Sequence, residues 1–236
     1  MKSTPEQIRQ RFDKDVERFA NIETGQSATI DAPLVLDLIT NAAAVTNPMA
    51  TTLLDIGCGA GNYALKLLER LPKLSTTLID LSRPMLDRAK ERISNKSGNT
   101  VVAIPGDIRD VSLTDREFDI VIAAAVLHHL RADHEWESVF RKIYQSLKSG
   151  GSFWVADLVH HSVPAVQVML WNRYGQYLTE LKGESYRDEV FGYIELEDTP
   201  RPLLFQIDLL RQVGFSQVEI LHKNNCFAAF GAIKLK

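Results

Sequence analysis

Cysteine is nearly absent from this 236-residue chain, which carries only Cys58 and Cys226. Two thiols so far apart match neither a zinc spacing nor a disulfide framework, so a reduced, cytoplasmic protein is expected. Long apolar runs are also missing: nothing approaches the ~18 residues of a membrane span. The opening MKSTPEQIRQRF is polar and has no apolar signal-peptide core, so no membrane contact is expected. Nor is there an excess of positive charge. The 27 Lys and Arg against 30 Asp and Glu leave a net charge of −3, which argues against a nucleic-acid partner. No internal repeat, low-complexity segment or metal-ligand spacing is visible, and no metal is expected.

What is present is enough apolar material, 45% of the chain, for the core of one domain. Residues 1–48 read as helical. Ile8, Phe12, Val16 and Phe19 recur at helical spacing from Pro5 to about Ala20, and Asp31 and Pro33 read as the cap and first turn of a second helix through about Ala44. From 50 to 158 strands alternate with helices. TLLDIG (52–57), TTLIDL (76–81), TVVAIPGD (100–107), FDIVIAAAVL (118–127) and SFWVADL (152–158) read as strands. The fourth is almost wholly apolar, as a strand buried on both faces should be. NYALKLLERL, PMLDRAKERI and HEWESVFRKIYQSLKSGG read as helices, the last stopped by Gly150–Gly151. This rhythm predicts an α/β fold: a mostly parallel, doubly wound sheet with helices on both faces and ligands beyond the carboxyl ends of its strands. Residues 159–200 break the rhythm and read as an inserted helical cap. Residues 201–236 read as a helix closed by Gly214 and a pair of strands, completing a single domain.

The stretch LLDIGCGAGNYALKLL (53–68) joins a strand, a glycine turn and a helix, a combination that usually holds a nucleotide-like cofactor. Its glycines, Gly57, Gly59 and Gly61, depart from the dinucleotide spacing, whose third glycine would fall at Asn62. An acid at the end of the second strand, Asp80, can accept hydrogen bonds from both ribose hydroxyls. Asp107, after the third strand, could reach an adenine amino group.

Taken together and in order, LLDIGCGAGNYAL, LIDLSRPML, IPGDIRD and FDIVIAAAVLHHL resemble the S-adenosylmethionine (SAM) site of class I methyltransferases. The resemblance covers about residues 50–158 and implies a seven-stranded sheet of order 3-2-1-4-5-7-6, with SAM as cofactor and S-adenosylhomocysteine as product. It implies that Asp55, Gly57, Cys58, Gly59 and Gly61 meet the methionine end, Asp80 the ribose, Leu81 and Met85 the adenine faces, and Asp107 and Ile108 the adenine edge. Ala124 and Ala125 would leave room along the methionine moiety. The helices of 1–48 would form a lid over the cofactor.

Methyl transfer from a sulfonium needs alignment of the acceptor and exclusion of water; a general base is optional. His128, just beyond the fourth strand, is the candidate base. His129, Trp171 and Tyr174 are candidate substrate contacts, and His160 and His161 lie near the expected mouth. Tyr177, Tyr186, Arg173, Arg187 and Arg201 of the cap are further candidates. The resulting expectation is a SAM-dependent methyltransferase acting on a small molecule, which could dimerise through an apolar face of lid or cap. RFDKDVERFANIETGQS and VGFSQVEILHKNNCFAAFGAIK resemble, more loosely, the carboxy-SAM synthase subgroup. That subgroup implies a lid tyrosine and a late-helix arginine where Thr29 and Leu210 stand, a departure that favours methyl transfer. A carboxy-SAM synthase and a non-catalytic SAM-binding protein remain the alternatives.

Overall fold

A computed structural model describes residues 2–21 and 25–235. The lid stretch quoted above therefore lies partly, at 22–24, outside the described residues. Seven strands form one sheet in the expected order: β3 (Val101–Pro105), β2 (Ser75–Asp80), β1 (Thr52–Ile56), β4 (Phe118–Ala124), β5 (Leu147–Leu158), β7 (Phe227–Ile233) and β6 (Gln217–Asn224). All pairings are parallel up to β5; β7 then runs antiparallel to both its neighbours. α3 (Ala32–Thr46), α4 (Asn62–Arg70) and α5 (Arg83–Lys96) pack one apolar layer around Ile39, Leu53, Leu67 and Trp154. α6 (Asp133–Ser146) and α9 (Leu203–Val213) pack the other around Trp136, Phe140, Phe153 and Phe230. No helix among the described residues is long and apolar enough to cross a membrane.

Three local expectations are corrected. The first helix is two, α1 (Pro5–Phe12) and α2 (Val16–Ala20). In one continuous helix Phe12 and Phe19 would stand about 10 Å apart along the axis; the break brings their rings to 5.4 Å. Asp31 caps nothing. It sits in the left-handed region at φ 60°, and its carboxylate accepts from His222 at 2.9 Å and Asn224 at 2.8 Å on β6. Gly150–Gly151 do not end α6, which stops at Ser146; Leu147 already pairs with Phe118. Residues between Leu147 and Ser152 form an irregularity in the β4–β5 register, and Gly150 supplies its φ of 82°.

The cap is a helical hairpin, α7 (Pro164–Lys182) and α8 (Glu184–Glu197). Its stems leave and rejoin the core together, where the His160 N–H donates to the Arg201 carbonyl at 3.3 Å. Inside it Trp171 stacks on Phe191, ring centroids 4.8 Å apart, and Gly175 lets Phe191 come close.

Candidate active site

Strand ends and the glycine turn meet on one rim of the sheet. Gly57 adopts φ 64°, and an added Cβ would lie 2.5 Å from Val126, so the turn after β1 can pass the turn after β4 only as glycine. Gly61, at φ 82°, opens α4; its bare Cα faces Ala89 of α5, where an added Cβ would stand 3.1 Å away. It joins two helices and does not line the cavity. The other residues predicted to touch the cofactor do: Asp55, Gly57, Cys58, Gly59, Asp80, Leu81, Met85, Asp107, Ile108, Ala124 and Ala125 all border one cavity that opens to solvent. Ala125 itself holds a positive φ of 53°, a strained turn at the cavity wall.

The acids differ in their bonding. Asp80 accepts the Gly59 N–H on Oδ2 and the Ser82 N–H on Oδ1, both at 2.8 Å, which fastens the glycine turn to the end of β2. Burial nevertheless pushes its carboxyl above the ordinary range. Asp107 is gripped by Arg109, with Nε at 3.0 Å and Nη2 at 2.5 Å, and Arg109 extends to Glu135 at 3.0 Å. Burial raises the Asp107 carboxyl, but the hydrogen bonds and charge of Arg109 outweigh it and hold the group low. Asp55 is 2% exposed, and its Oδ2 has no hydrogen-bond partner. Burial, with the Asp80 charge adding, pushes it up to about 7. An orphaned buried carboxylate oxygen facing a cavity calls for a cationic donor, and the ammonium of SAM is one. The residues present are of the type SAM needs: Asp55 would face its ammonium, Asp80 its ribose, and Asp107 and Ile108 its adenine.

A second, larger cavity, about 530 Å³, adjoins the first between core, lid and hairpin. The two share Phe12, Phe19, Gln26, Tyr63, Ala124, Ala125 and His129. His128 lines the larger one, its Nδ1 bonded to Asp157 Oδ1. Burial alone would drive its proton off, but the Asp198 and Asp157 carboxylates prevail and raise it to about 9. So held, His128 is a donor at neutral pH and not a proton acceptor. Tyr174 lines the larger cavity with its hydroxyl donating to the Ala28 carbonyl at 3.0 Å. Tyr186 lines it too, while Tyr177 donates to the Ser27 carbonyl at 2.8 Å. Trp171 is committed to Phe191. His161 bonds Gln167 at 3.0 Å, Arg187 pairs with Asp188 at 2.8 Å and Arg201 with Asp133 at 2.6 Å; these, with His160 and Arg173, lie off both cavities.

Sequence reasoning missed the lid aromatics Phe12 and Phe19 as cavity walls, and Asp157, Glu197 and Asp198 entirely. Asp157 carried a signal: like Asp55 and Asp80 it is an acid at the carboxyl end of a strand. Asp198 carried none. Among the described residues His128, His129 and Asp198 gather ligand atoms within 4.8 Å of one another, a metal-type cluster that spacing along the chain did not suggest.

Residues 53–151 match a protein family described as a methyltransferase domain. Over these residues, which hold the glycine turn, Asp55, Asp80 and Asp107, the chain is similar to class I SAM-dependent methyltransferases. It is 25% identical over 191 residues to the demethylmenaquinone methyltransferase of Listeria monocytogenes, covering 79% of each. It is 29% identical over 196 residues to the carboxy-S-adenosyl-L-methionine synthase of Trichodesmium erythraeum, covering 78% of this chain and 73% of that one. Among solved structures the [4+2]-cyclase SpnF superposes with a TM-score of 0.67 at 16% identity, over 99% of this chain and 98% of that one. At that identity the likeness is one of fold. A fold of this kind thus carries a cyclase as well, and the acceptor must be argued from the site itself.

Proposed function

We propose that the protein transfers a methyl group from SAM to a small-molecule acceptor held in the larger cavity. One observation carries the reading: the cofactor-type cavity and the larger one lie side by side, with seven residues lining both. When bound, SAM supplies an electrophilic methyl on a positive sulfur, whose neutral leaving group needs no anion stabiliser. The chain's own residues then act by alignment and exclusion of water. Phe12 and Phe19 line the shared boundary from the lid side, and Tyr63 and Ala124 wall it from the core. His129 borders both chambers and is the polar group best placed to meet an acceptor. The aromatic side chains Phe12, Phe19, Tyr174, Tyr186 and Phe227 suit a flat, apolar acceptor, compatible with a relative named for demethylmenaquinone.

A second reading, synthesis of a carboxylated SAM, draws on the Trichodesmium relative and on Arg11, Lys14 and Arg18 in the larger cavity's wall. Against it, Leu210 is buried in the core where that subgroup would place its arginine. The test is native mass spectrometry of the freshly purified protein with titration of SAM and S-adenosylhomocysteine. A bound ligand of SAM mass supports methyl transfer, and a carboxylated mass supports the alternative. In Asp80→Asn, loss of charge-assisted bonds to the ribose should weaken SAM binding by about 1.5–3 kcal/mol. Unchanged affinity would refute the ribose assignment.

A further inference from the structure

The geometry points to a divalent-cation site made by His128 Nε2, His129 Nδ1 and an Asp198 carboxylate oxygen, holding an oxygen atom of the acceptor in the larger cavity. The acceptor clause rests on the methyl-transfer reading; the ion site stands apart from it.

The distances are the first argument. Asp198 Oδ1 lies 3.3 Å from His129 Nδ1 and 3.6 Å from His128 Nε2. Both exceed the ~2.9 Å of a well-made N–H···O bond. Two ligands each about 2.1 Å from one ion stand roughly 3–3.5 Å apart across a tetrahedral or octahedral angle. Both spacings fit ligands of a common ion, and all three residues place a ligand atom within 4.8 Å of the others.

The support around the ligands is the second. His128 turns its Nδ1 to Asp157 Oδ1, which leaves Nε2 for the site. Asp157 is fully buried in turn, accepting the Leu127 and His128 N–H groups on Oδ2 at 2.9 and 3.2 Å and its neighbour Leu158 on Oδ1 at 2.7 Å. A carboxylate behind a histidine in this way fixes the tautomer and ring plane of a metal ligand. The third ligand comes from the far end of the hairpin, yet it is tied to the same spot: the Thr199 N–H donates to the His128 carbonyl at 2.7 Å. The site is thus set by two segments joined through their backbones.

Charge and ligand type are the third. Asp157, Glu197 and Asp198 face this corner together with Arg11, which Glu197 engages through both oxygens, Lys2, which donates to the Asp198 carbonyl, and the protonated His128. Binding of a dication would release the His128 proton and take its place beside the carboxylates. Two histidines and one carboxylate favour zinc, iron, cobalt or manganese over magnesium or calcium. Three protein ligands leave positions open, and His129 lies where the two cavities meet. The matching acceptor is a phenol or enol whose oxygen can ligate: the ion fixes its position and acidifies its hydroxyl.

The test uses the full-length protein freed of metal by a chelator. It is titrated with Co²⁺ followed by visible absorption, with Zn²⁺ and Mn²⁺ by calorimetry, and with SAM in parallel. One Co²⁺ per chain is expected. Asp198→Asn and His129→Gln should each weaken Co²⁺ binding at least tenfold, and Asp157→Asn by about 10–100-fold. Asp198→Asn should keep its SAM affinity, which certifies its fold. Catechol, used as a simple ligating probe, should shift the Co²⁺ spectrum. A protein that binds SAM but no ion saturably, or variants that bind Co²⁺ as well as the parent, would overturn the site. Bound Co²⁺ that is blind to catechol would overturn the acceptor clause. Stoichiometric ion without any SAM-type ligand would keep the site and sink the methyl-transfer reading instead.

Discussion

Asp55 holds a buried carboxylate oxygen to which no group of the protein donates, and burial lifts its pKa from 3.8 to about 7. The neighbouring charge is Asp80 on β2; Tyr63 on α4 and Cys58 in the turn stay neutral, both pushed up by burial. Two pH effects follow, of opposite sign. In the ligand-free protein the folded state binds the Asp55 proton more tightly than the unfolded chain does, so this stabilising contribution is full below about pH 4 and lost as pH rises through about 7. SAM bound with its ammonium at Asp55, as proposed, would reverse the preference, because a cation there favours the carboxylate. SAM affinity should therefore climb between about pH 6 and 8, with proton release on binding at the lower end. Calorimetry in buffers of different ionisation heat reads both quantities, and Asp55→Asn should flatten the slope. A parent slope equal to that of Asp55→Asn would show that Asp55 does not meet the ammonium. Asp55, Asp80 and Asp107 were legible in the sequence because Asp55 and Asp80 sit at the carboxyl ends of β1 and β2 and Asp107 just past β3, and strand ends are where such sheets bind ligands. The state of His128 was not, because it depends on carboxylates contributed by β5 and by the end of α8.

At the level of elements, the lid is latched. Asn62, the first residue of α4, donates its side-chain amide to the Phe19 carbonyl at 2.9 Å and receives Arg92 at 2.8 Å on its oxygen. Ser82, the cap of α5, donates to Asp13 at 2.6 Å in the break between α1 and α2. Both latches join the short lid helices to the rim of the cofactor cavity. That explains why α1 and α2 are two: the break gives Ser82 its partner and folds Phe12 onto Phe19. Helical periodicity saw the apolar stripe but not the break, because the forces that make it come from residues distant in the chain. The same reason hid the irregular start of β5, which Phe118 pairing decides. In Asn62→Ala the lid should open more often, and SAM should dissociate several-fold faster, in keeping with about 0.5–1.5 kcal/mol for one net hydrogen bond. Amide exchange over residues 5–21 should quicken in the SAM complex. Unchanged exchange there would mean that α2 is held by the packing of Phe12 and Phe19 alone.

At the level of the molecule, three bodies close two chambers: the sheet core, the lid and the hairpin. The lid and hairpin meet through Lys2 and Ser3 on the end of α8, through Tyr174 and Tyr177 on the Ala28 and Ser27 carbonyls, and through one ion pair, Arg11 with Glu197. Arg11 Nε donates to Glu197 Oε1 at 2.8 Å and Nη2 to Oε2, while the guanidinium lies 4.2 Å from the Phe12 ring centroid and 4.7 Å from that of Tyr193. Glu197 is 5% exposed, so removing one partner leaves the other poorly solvated, a cost of about 1–3 kcal/mol. Arg11 touches a lid aromatic that lines both cavities, and Glu197 adjoins Asp198. One ion pair therefore couples the cover of the cofactor to the wall of the acceptor chamber. A double-mutant cycle on Arg11→Met and Glu197→Gln should show each single change lowering stability and the double change costing less than their sum, with a coupling of about 0.5–3 kcal/mol. Exchange protection of α1 and of α8 should fall together in either single variant. If the two losses simply add, or if only one segment loosens, the lid and hairpin close independently, and cofactor and acceptor would enter through separately moving covers.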